Sequence, residues 1–578
     1  MDTPLVPVKS RSIRLSHPWA LLATVLIVGG APPASPGLTG CAAPPPRSPA
    51  VETNAALPAP SALASGAPPS AVIAPAAPVA SAATSSSAAV QAAPVPPAGL
   101  EAPAVEPPSA PPHVWKGGEF QRALSQFGQW VKKNGGTLGA ELDDVASGSA
   151  LGSFSAHTPE NPASNQKILT TAAVLRHFGA EFRFRTVLLG ARAGDGVAKL
   201  VLRGSGDPSL GSDDLQALAK ALSQSGVRHV GELLIDQSYF DAHYVPPAFE
   251  QQPQEWAAFR APVSAVSLNR NVTTLNVAPT EAGQSARVWF DPEGFVDVSG
   301  TVRTEQLGDT RKGEKTDRAQ NVKLTLKESG RRLSALVAGA IAPGSPAFHW
   351  SRRVEDPNLL AGYGLKAALA AEGIQVSGKI ALGGETELTE LAVHDSRPLS
   401  ELLPELGKDS DNFYAETLLK DLGAKVKGAP GTSANGAAVV LDYLREIDAL
   451  DVGTRITNGS GLFDANRVSA RTLVKTLLHA YKDPALGRVF VDQLAVGGVD
   501  GTLKHRFLAF KKPRSIRAKT GTLDDVIALS GYTFRPDGSS PVAFSIIVSG
   551  ITGKHAEIRK RIDDIVSTVA RTLARDAT

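Results

Sequence analysis

The feature that most limits how this chain can fold is a long segment of low complexity near its amino terminus. Residues 42–112 consist almost entirely of Ala, Pro, Ser and Val. Such a segment cannot bury enough apolar surface to offset the entropy lost on ordering, so we assign residues 41–112 to a semi-extended linker. Folding is therefore expected to begin near His113, and the 42% hydrophobic and 20% charged content is that of a soluble globular protein.

The first 40 residues have the order of a secretory signal. Basic residues at positions 9, 11 and 14 precede the apolar run WALLATVLIVGGA at 19–31, which at about 13 residues is shorter than the roughly 20 that a membrane-spanning helix needs. The sequence LTGC at 38–41 then resembles the lipobox of bacterial lipoproteins. We expect export to the periplasm and a lipid anchor on Cys41 that tethers the protein to a membrane. The alternative is a chance cysteine in an ordinary signal region.

Composition argues against several classes of function. The net charge is only +3, with basic residues scattered among acidic ones, so no basic face for nucleic acid is expected. A single cysteine allows neither an intrachain disulfide nor a cysteine-built zinc site. The 11 histidines form no pair with metal-ligand spacing, so metal catalysis has no support.

The folded part divides by periodicity into three stretches. Residues 113–180 open with an amphipathic helix and a hairpin that turns at 147–149, and 181–350 are dominated by short strand signals. Residues 351–578 return to helical periodicity and end in two strands and a helix. Since helix and hairpin occur at both ends, we predict one α/β domain in two parts, 113–180 and 351–578, with a mainly-β region inserted between them.

Three short strings occur in a fixed order along this domain: SNQK at 164–167, SDN at 410–412 and KTG at 519–521. Each is weak evidence alone, because a serine three residues before a lysine is common. Together they are typical of penicillin-binding proteins and class A β-lactamases. Their expected places are a helix start, an interhelical loop and a strand.

The chemistry of these residue types supports a nucleophilic serine. A serine hydroxyl becomes nucleophilic when a base takes its proton, and Lys167 is that base for Ser164 if desolvation and a second cation lower its pKa. Lys519 supplies the cation. Ser410 passes the proton to the leaving amine, and Asn412 holds Lys167 and the amide of the substrate.

The third string also provides a binding surface. Gly521 allows a substrate to lie against the strand, where Thr520 and Thr522 bind a terminal carboxylate beside Lys519. The backbone N–H groups of Ser164 and Thr522 face the developing oxyanion. The structural alternative makes Ser164 a helix cap and Lys167 a surface lysine, but it leaves the other two strings unexplained.

With these residues in view, the chain resembles the peptidase S13 family of D-alanyl-D-alanine carboxypeptidase/endopeptidases, class C low-molecular-mass penicillin-binding proteins. The resemblance covers about 113–575 and includes further blocks: GSGDPSL at 204–210, PVSAVSLNRNVTTLNVAP at 262–279, DNFYAETLLK at 411–420, NGSGLFDANRVSARTLVKTL at 458–477, GVDGTLKHRF at 498–507 and AKTGTLDDVIALSGY at 518–532. It implies a serine transpeptidase/β-lactamase-like α+β fold, with a five-stranded antiparallel sheet flanked by helices and two inserted domains.

The resemblance also implies an activity. Ser164 attacks the D-Ala-D-Ala bond of peptidoglycan stem peptides, D-alanine leaves, and water releases the trimmed peptide. β-Lactams acylate the same serine, and no metal or organic cofactor is implied. The chain departs from the usual pattern at Asn165-Gln166, where Thr-Met is more usual, and at Asp524-Asp525, which add negative charge after the third string.

Two alternatives to this function stay open. A class A β-lactamase requires a deacylating glutamate in a Glu-x-x-Leu-Asn string, and none lies between 412 and 519. A lipid-anchored wall-binding scaffold with a decayed site is the second alternative. Decay usually removes a catalytic side chain first, yet all five catalytic candidates are present.

Overall fold

The computed structural model describes residues 118–252, 255–307, 319–330, 332–385, 388–512, 515–539 and 541–575. The predicted signal peptide, the linker and the lipid anchor at Cys41 lie outside these residues, so they stay predictions. Within the described ranges, no helix combines the length and the apolar character needed to cross a membrane.

The described residues form helices and strands throughout. The helices are α1 (Glu119–Lys133), α2 (Gln166–Phe178), α3 (Ser212–Gln224), α4 (Leu360–Ala371), α5 (Leu399–Gly407), α6 (Asn412–Lys427), α7 (Ser433–Glu446), α8 (Ala470–Lys482), α9 (Gly487–Asp492) and α10 (His555–Arg575). The strands are β1 (Thr137–Asp144), β2 (Ala150–Phe154), β3 (Arg185–Ala193), β4 (Gly196–Gly204), β5 (His229–Asp236), β6 (Val272–Ala278), β7 (Arg287–Asp291), β8 (Val296–Gly300), β9 (Arg303–Thr304), β10 (Lys323–Ser329), β11 (Arg332–Ala338), β12 (Ala340–Ile341), β13 (Phe348–Arg353), β14 (Gln375–Val376), β15 (Ile380–Leu382), β16 (Thr389–Asp395), β17 (Ala495–Val496), β18 (Ile516–Leu523), β19 (Val526–Thr533) and β20 (Val542–Ser549).

The central sheet joins the two ends of the folded chain. Its order is β17-β18-β19-β20-β1-β2, and every neighbouring pair is antiparallel. The ends meet where β1 pairs with β20, from Thr137 opposite Ser549 to Asp144 opposite Val542. The expected antiparallel sheet of five strands is confirmed, with the two-residue strand β17 added at one edge.

Both faces of the central sheet are covered by helices. Along β19, Ile527 and Leu529 pack in the cluster that contains α1 and α10, whereas Val526 and Ala528 pack in the cluster of α2, α6 and α8. This alternation follows because successive side chains of a strand point to opposite faces. The side of α10 that faces the sheet has five buried apolar positions: Ile558, Ile562, Ile565, Val569 and Leu573.

The region inserted between α2 and α5 contains its own sheets. The largest has the order β14-β5-β4-β3-β16, and its hydrophobic cluster includes α3 and α4. Because β16 pairs with β3 along Thr389–Asp395, the strand pairing keeps residues up to 395 with the inserted region. The domain boundary at 350 stays a prediction.

Candidate active site

The structure brings the three strings to one place at the edge of the central sheet. The Nζ atom of Lys167 lies 3.2 Å from Ser164 Oγ and 2.8 Å from Asn412 Oδ1. The Nζ atom of Lys519 lies 2.7 Å from Ser410 Oγ. Three strings that are more than 100 residues apart in sequence thus form two adjoining serine–lysine pairs, the first of which also contacts Asn412.

Ser164 lies in a tight turn just before α2. The turn Ala163–Asn165 is a short 3₁₀ helix, and Ala163 has a φ of +45°. The amide of Asn165 anchors the turn to β19 by donating to Ser530 Oγ at 2.7 Å. No side chain caps the start of α2, so Ser164 is not a helix cap and its half-buried hydroxyl is available for other contacts.

Lys167 is fully buried and has three hydrogen-bond partners. Besides Ser164 and Asn412, its amine donates to the carbonyl of Ser460 at 2.8 Å. An ammonium donates to all three acceptors, whereas a neutral amine donates to two and accepts the hydroxyl proton of Ser164. Burial lowers the pKa of Lys167 to about 7 against the opposing charges of Glu416 and Asp411. The expectation of a buried lysine, rather than a surface one, is confirmed.

Glu416 is a buried carboxylate that the sequence analysis missed. It accepts hydrogen bonds from the backbone N–H groups of Gly459 at 3.1 Å and Ser460 at 2.8 Å. These bonds fix the segment whose carbonyl receives Lys167. Burial raises the pKa of Glu416. The available signal was its position four residues after Asn412, which places both on one face of α6.

The second pair joins the loop before α6 to strand β18. Ser410 has a φ of +62°, a conformation that non-glycine residues seldom adopt. Lys519 is buried and donates to Ser410 Oγ and, at 2.9 Å, to the carbonyl of Thr520. Burial, with the nearby charge of Lys167, holds the pKa of Lys519 well below its usual range. Asn412 also donates through Nδ2 to the carbonyl of Phe259 at 3.1 Å, a contact that the sequence did not indicate.

The rest of the third string forms the rim of the site. Thr520 donates to Thr502 Oγ1 at 2.9 Å, and Thr522 is exposed and accepts from Arg559 at 3.4 Å. A Cβ on Gly521 would lie 2.9 Å from the carbonyl oxygen of Pro162. The space that glycine provides is therefore filled by the turn that carries Ser164, rather than left for a substrate.

Comparisons with known proteins identify the family of the chain. The model of the D-Ala-D-Ala carboxypeptidase 3 (S13) family matches residues 124–572. The chain belongs to this family. A D-alanyl-D-alanine carboxypeptidase of Actinomadura sp. strain R39 is 32% identical over 440 residues, which are 72% of this chain and 79% of that protein. The D-alanyl-D-alanine carboxypeptidase DacB of Haemophilus influenzae is 24% identical over 430 residues, 72% of this chain and 86% of that one.

A solved structure shares the fold. The crystal structure of penicillin-binding protein 4 from H. influenzae superposes with a TM-score of 0.62 at 22% identity, covering 76% of this chain and 99% of that chain. A second structure of that protein, in complex with a β-lactam, gives a TM-score of 0.58 at 23% identity. The resemblance expected from the sequence is confirmed, and the chain is an enzyme of the serine-type D-Ala-D-Ala carboxypeptidase class.

Proposed function

We propose that the chain hydrolyses D-Ala-D-Ala ends of peptidoglycan stem peptides through an acyl-enzyme on Ser164. The observation that carries the proposal is the buried amine of Lys167, 3.2 Å from Ser164 Oγ. A serine needs such a base within hydrogen-bond reach to act as a nucleophile. A lysine whose pKa is about 7 is available as that base at neutral pH.

Acylation begins with Ser164 Oγ attacking the carbonyl carbon of the terminal peptide bond. The hydroxyl proton passes to Lys167, and the carbonyl oxygen becomes an oxyanion that accepts from the backbone N–H groups of Ser164 and Thr522. When the C–N bond breaks, Ser410 delivers a proton to the departing nitrogen and regains one from the lysine amines around it. D-Alanine leaves as a neutral amine, and the ester on Ser164 remains.

Deacylation reverses these roles with water as the nucleophile. Lys167 takes a proton from water as it attacks the ester carbon, and the departing Ser164 oxygen recovers a proton. The trimmed peptide is released with a carboxylate. The same steps cut a cross-link when the departing nitrogen belongs to a neighbouring stem peptide, which is the endopeptidase reaction.

The third string recognises the end of the substrate. Lys519 uses two of its donor positions on Ser410 and the carbonyl of Thr520, which leaves one N–H of the ammonium form for a carboxylate. The hydroxyls of Thr520 and Thr522 flank the same place. A β-lactam carries a carboxylate next to a strained amide, so it occupies this surface and acylates Ser164.

Sequence motifs in the amino-terminal segments support a location of this reaction in the cell envelope. An exported, periplasmic protein held by a lipid on Cys41 at the end of a linker over 41–112 reaches peptidoglycan while it stays attached to a membrane. These features rest on the sequence motifs.

The test is the intact mass of the purified full chain after incubation with benzylpenicillin, in parallel with Ser164→Ala. We expect one adduct per chain on the parent protein and none on the variant. D-Alanine released from a peptide ending in D-Ala-D-Ala, and cleavage of a cross-linked dimer of such peptides, then separate carboxypeptidase from endopeptidase. An unmodified parent that consumes the drug indicates a β-lactamase, and an inert parent with intact drug indicates a scaffold.

A further inference from the structure

The turn that leads into β6 contains three consecutive residues with left-handed backbone. Asn269, Arg270 and Asn271 have φ values of +49°, +60° and +53°. Asparagine tolerates this conformation, whereas arginine rarely adopts it. Strain of this kind persists where the surrounding structure enforces it, and it clusters at functional sites.

The two asparagines hold the turn in place from inside the inserted region. The amide of Asn269 donates to Asp291 Oδ1 at 3.0 Å, and the amide of Asn271 donates to Ser267 Oγ at 2.9 Å. Asp291 is the last residue of β7 and Ser267 lies before β6, so both contacts stay within the inserted region. The flanking residues therefore fix the backbone, and Arg270 between them extends away from the inserted region.

Arg270 reaches the loop that carries the second catalytic string. Its Nη1 lies 2.6 Å from Asp411 Oδ2 and its Nη2 lies 3.1 Å from Glu405 Oε2. Its guanidinium carbon lies 5.0 Å from the centre of the Tyr414 ring. The side chain is only 18% exposed, so water weakens these ion pairs less than it weakens surface pairs.

Asp411 is the residue between the two catalytic candidates of this loop. It caps α6, because its Oδ1 accepts from the backbone N–H of Tyr414 at 3.0 Å. Its own N–H donates to the carbonyl of Glu405 at 2.9 Å. On one side of it is Ser410, with a φ of +62°, and on the other is Asn412, which contacts Lys167. A displacement of Asp411 would therefore also displace Ser410 and Asn412.

We propose that Arg270 is a positioning residue that clamps the Ser410–Asn412 loop in its reactive geometry from the inserted region. The inserted region then forms part of the catalytic apparatus as well as a lobe beside it. This inference rests on the proposed function, since its measure is the rate at which Ser164 is acylated.

The planar fork of arginine suits this task because it engages two carboxylates at fixed angles, which the point charge of lysine cannot do. A misplacement of about 1 Å in a catalytic constellation costs about 100-fold in rate. Ser410 has an unfavourable backbone conformation. Without the guanidinium of Arg270, one fewer contact holds the loop that imposes this conformation.

The experiment measures the second-order rate constant for acylation of the full chain by benzylpenicillin. We expect Arg270→Gln to react about 100-fold more slowly and Arg270→Lys to fall between it and the parent. Arg203→Gln is the matched control, because Arg203 pairs with Asp236 at 2.6 Å inside the sheet of β4 and β5. We expect this control to react within about two-fold of the parent.

The pH dependence of the same rate constant separates positioning from a general loss of stability. The groups whose charges act on Lys167 and Lys519 include Glu416, Asp411 and Asp409. Removing the cation of Arg270 leaves Asp411 uncompensated, which raises the pKa of Lys167 and moves the acid limb of the profile to higher pH. Asp411→Asn keeps the capping oxygen but removes the anion, so it moves that limb to lower pH and also slows acylation.

Each outcome decides one point. If the parent is not acylated at all, the proposed function fails, whatever the variants do. If the parent is acylated and a folded Arg270→Gln matches its rate and pH profile, the clamp is overturned. Should Arg270→Gln not fold, Asp411→Asn provides the test, and acylation at the parent rate with an unshifted limb overturns the proposal.

Discussion

The two serine–lysine pairs are built alike but differ in their charged surroundings. Lys167 and Lys519 are both buried, and each donates to a serine hydroxyl and a backbone carbonyl. Burial lowers the pKa of both. Lys167 has two acidic groups, Glu416 and Asp411, that oppose this effect and leave its pKa at about 7. Lys519 has the cation of Lys167 nearby, which adds to the effect of burial, and one acidic group, Asp409, which opposes it.

Under the proposed function, this difference suits the two amines to different tasks. A base must be neutral when substrate arrives and able to carry a proton afterwards, which requires a pKa near the working pH. Lys167 meets this condition because the charges of Glu416 and Asp411 offset part of the effect of burial on its pKa. In the proposed reaction, Lys519 gains its most favourable partner when a substrate carboxylate arrives at Thr520 and Thr522, so its charge would be tied to binding. In the proposed reaction, the neighbouring charges, rather than the residue type, make Lys167 the base and Lys519 the cation that binds the carboxylate.

The largest expected effect comes from replacing each lysine by arginine. Arginine keeps the positive charge but does not deprotonate at neutral pH, so it cannot act as a base. We expect Lys167→Arg to lower the rate of acylation by benzylpenicillin about 10⁴-fold, the upper range for loss of a general base. Lys519→Arg keeps a cation for the carboxylate, so we expect a loss of about 100-fold or less.

Lys167→Met and Lys519→Met serve as controls for this pair, since both remove the charge. We expect Lys167→Met to be as slow as Lys167→Arg, and Lys519→Met to be slower than Lys519→Arg. Rapid acylation of Lys167→Arg would show that the base is another group. Equal losses in Lys519→Arg and Lys519→Met would show that its charge is not what matters.

The next largest effect on acylation is expected at Gly521, where strand β18 contacts the turn that carries Ser164. In Gly521→Ala, the new Cβ would lie 2.9 Å from the carbonyl oxygen of Pro162 and 3.1 Å from the Cβ of Ala163. The turn must move away from β18, which separates Ser164 from the Lys519 pair. We expect acylation to slow about 100-fold, because small misplacements are costly in a catalytic site. The rate constant for acylation measures this.

Gly531→Ala offers a comparison for Gly521→Ala on the neighbouring strand. Its Cβ would also meet backbone, 2.2 Å from the carbonyl oxygen of Arg517, and none of its three nearest atoms belongs to the Ser164 turn. We expect it to lower the melting temperature with a smaller effect on acylation per folded molecule. A Gly521→Ala protein that keeps the parent rate would show that the turn has room to shift.

Much of this site could be predicted from the sequence because short motifs preserve local geometry. Ser164 and Lys167 are three residues apart at the start of a helix, which brings both side chains to one side. The SDN string in its loop and the KTG string in its strand likewise fix the relative positions of their own residues. The helix-and-hairpin pattern at both ends likewise predicted that the two ends meet in one α/β domain, whereas the five-stranded antiparallel sheet was implied by the family resemblance. In each case the information lies within a few residues of the feature that it describes.

What the sequence did not reveal depends on distant contacts or on backbone atoms. The carbonyl of Ser460 completes the environment of Lys167, but any residue type supplies a carbonyl. Glu416 is a helix glutamate whose burial depends on the packing of the segment at 459–460. The pairing of β16 with β3 spans about 200 residues, and a contact over that length leaves no local pattern in the sequence.

A smaller effect, on the pH dependence of acylation, tests how the nearby anions set the pKa of Lys167. Because Lys167 must be neutral to accept a proton, acylation by the parent declines as the pH falls below about 7. Glu416→Gln removes an anion that favours the charged amine, so the pKa of Lys167 falls and the acid limb moves to lower pH. At pH 7 the gain is about two-fold at most, since about half of the amine is already neutral in the parent.

The matched control for Glu416→Gln is Glu446→Gln, which removes an exposed carboxylate that pairs with Arg176. We expect its acid limb to coincide with that of the parent. A limb in Glu416→Gln that also stays in place would show that Glu416 is uncharged at neutral pH and acts only through its hydrogen bonds to 459 and 460.

The smallest effect on activity is expected at Gln166, the neighbour of Lys167. Both side chains are fully buried, but Lys167 has three partners, whereas neither polar atom of Gln166 has one among the described residues. An unpaired buried amide costs about 1–3 kcal/mol, and methionine has nearly the same shape without that cost. We expect Gln166→Met to raise the free energy of unfolding by about that amount in urea denaturation, with acylation unchanged. A lower unfolding free energy for Gln166→Met would mean that a buried water satisfies the amide of Gln166. Gln166 and Lys167 would then both have hydrogen-bond partners and would differ only in charge.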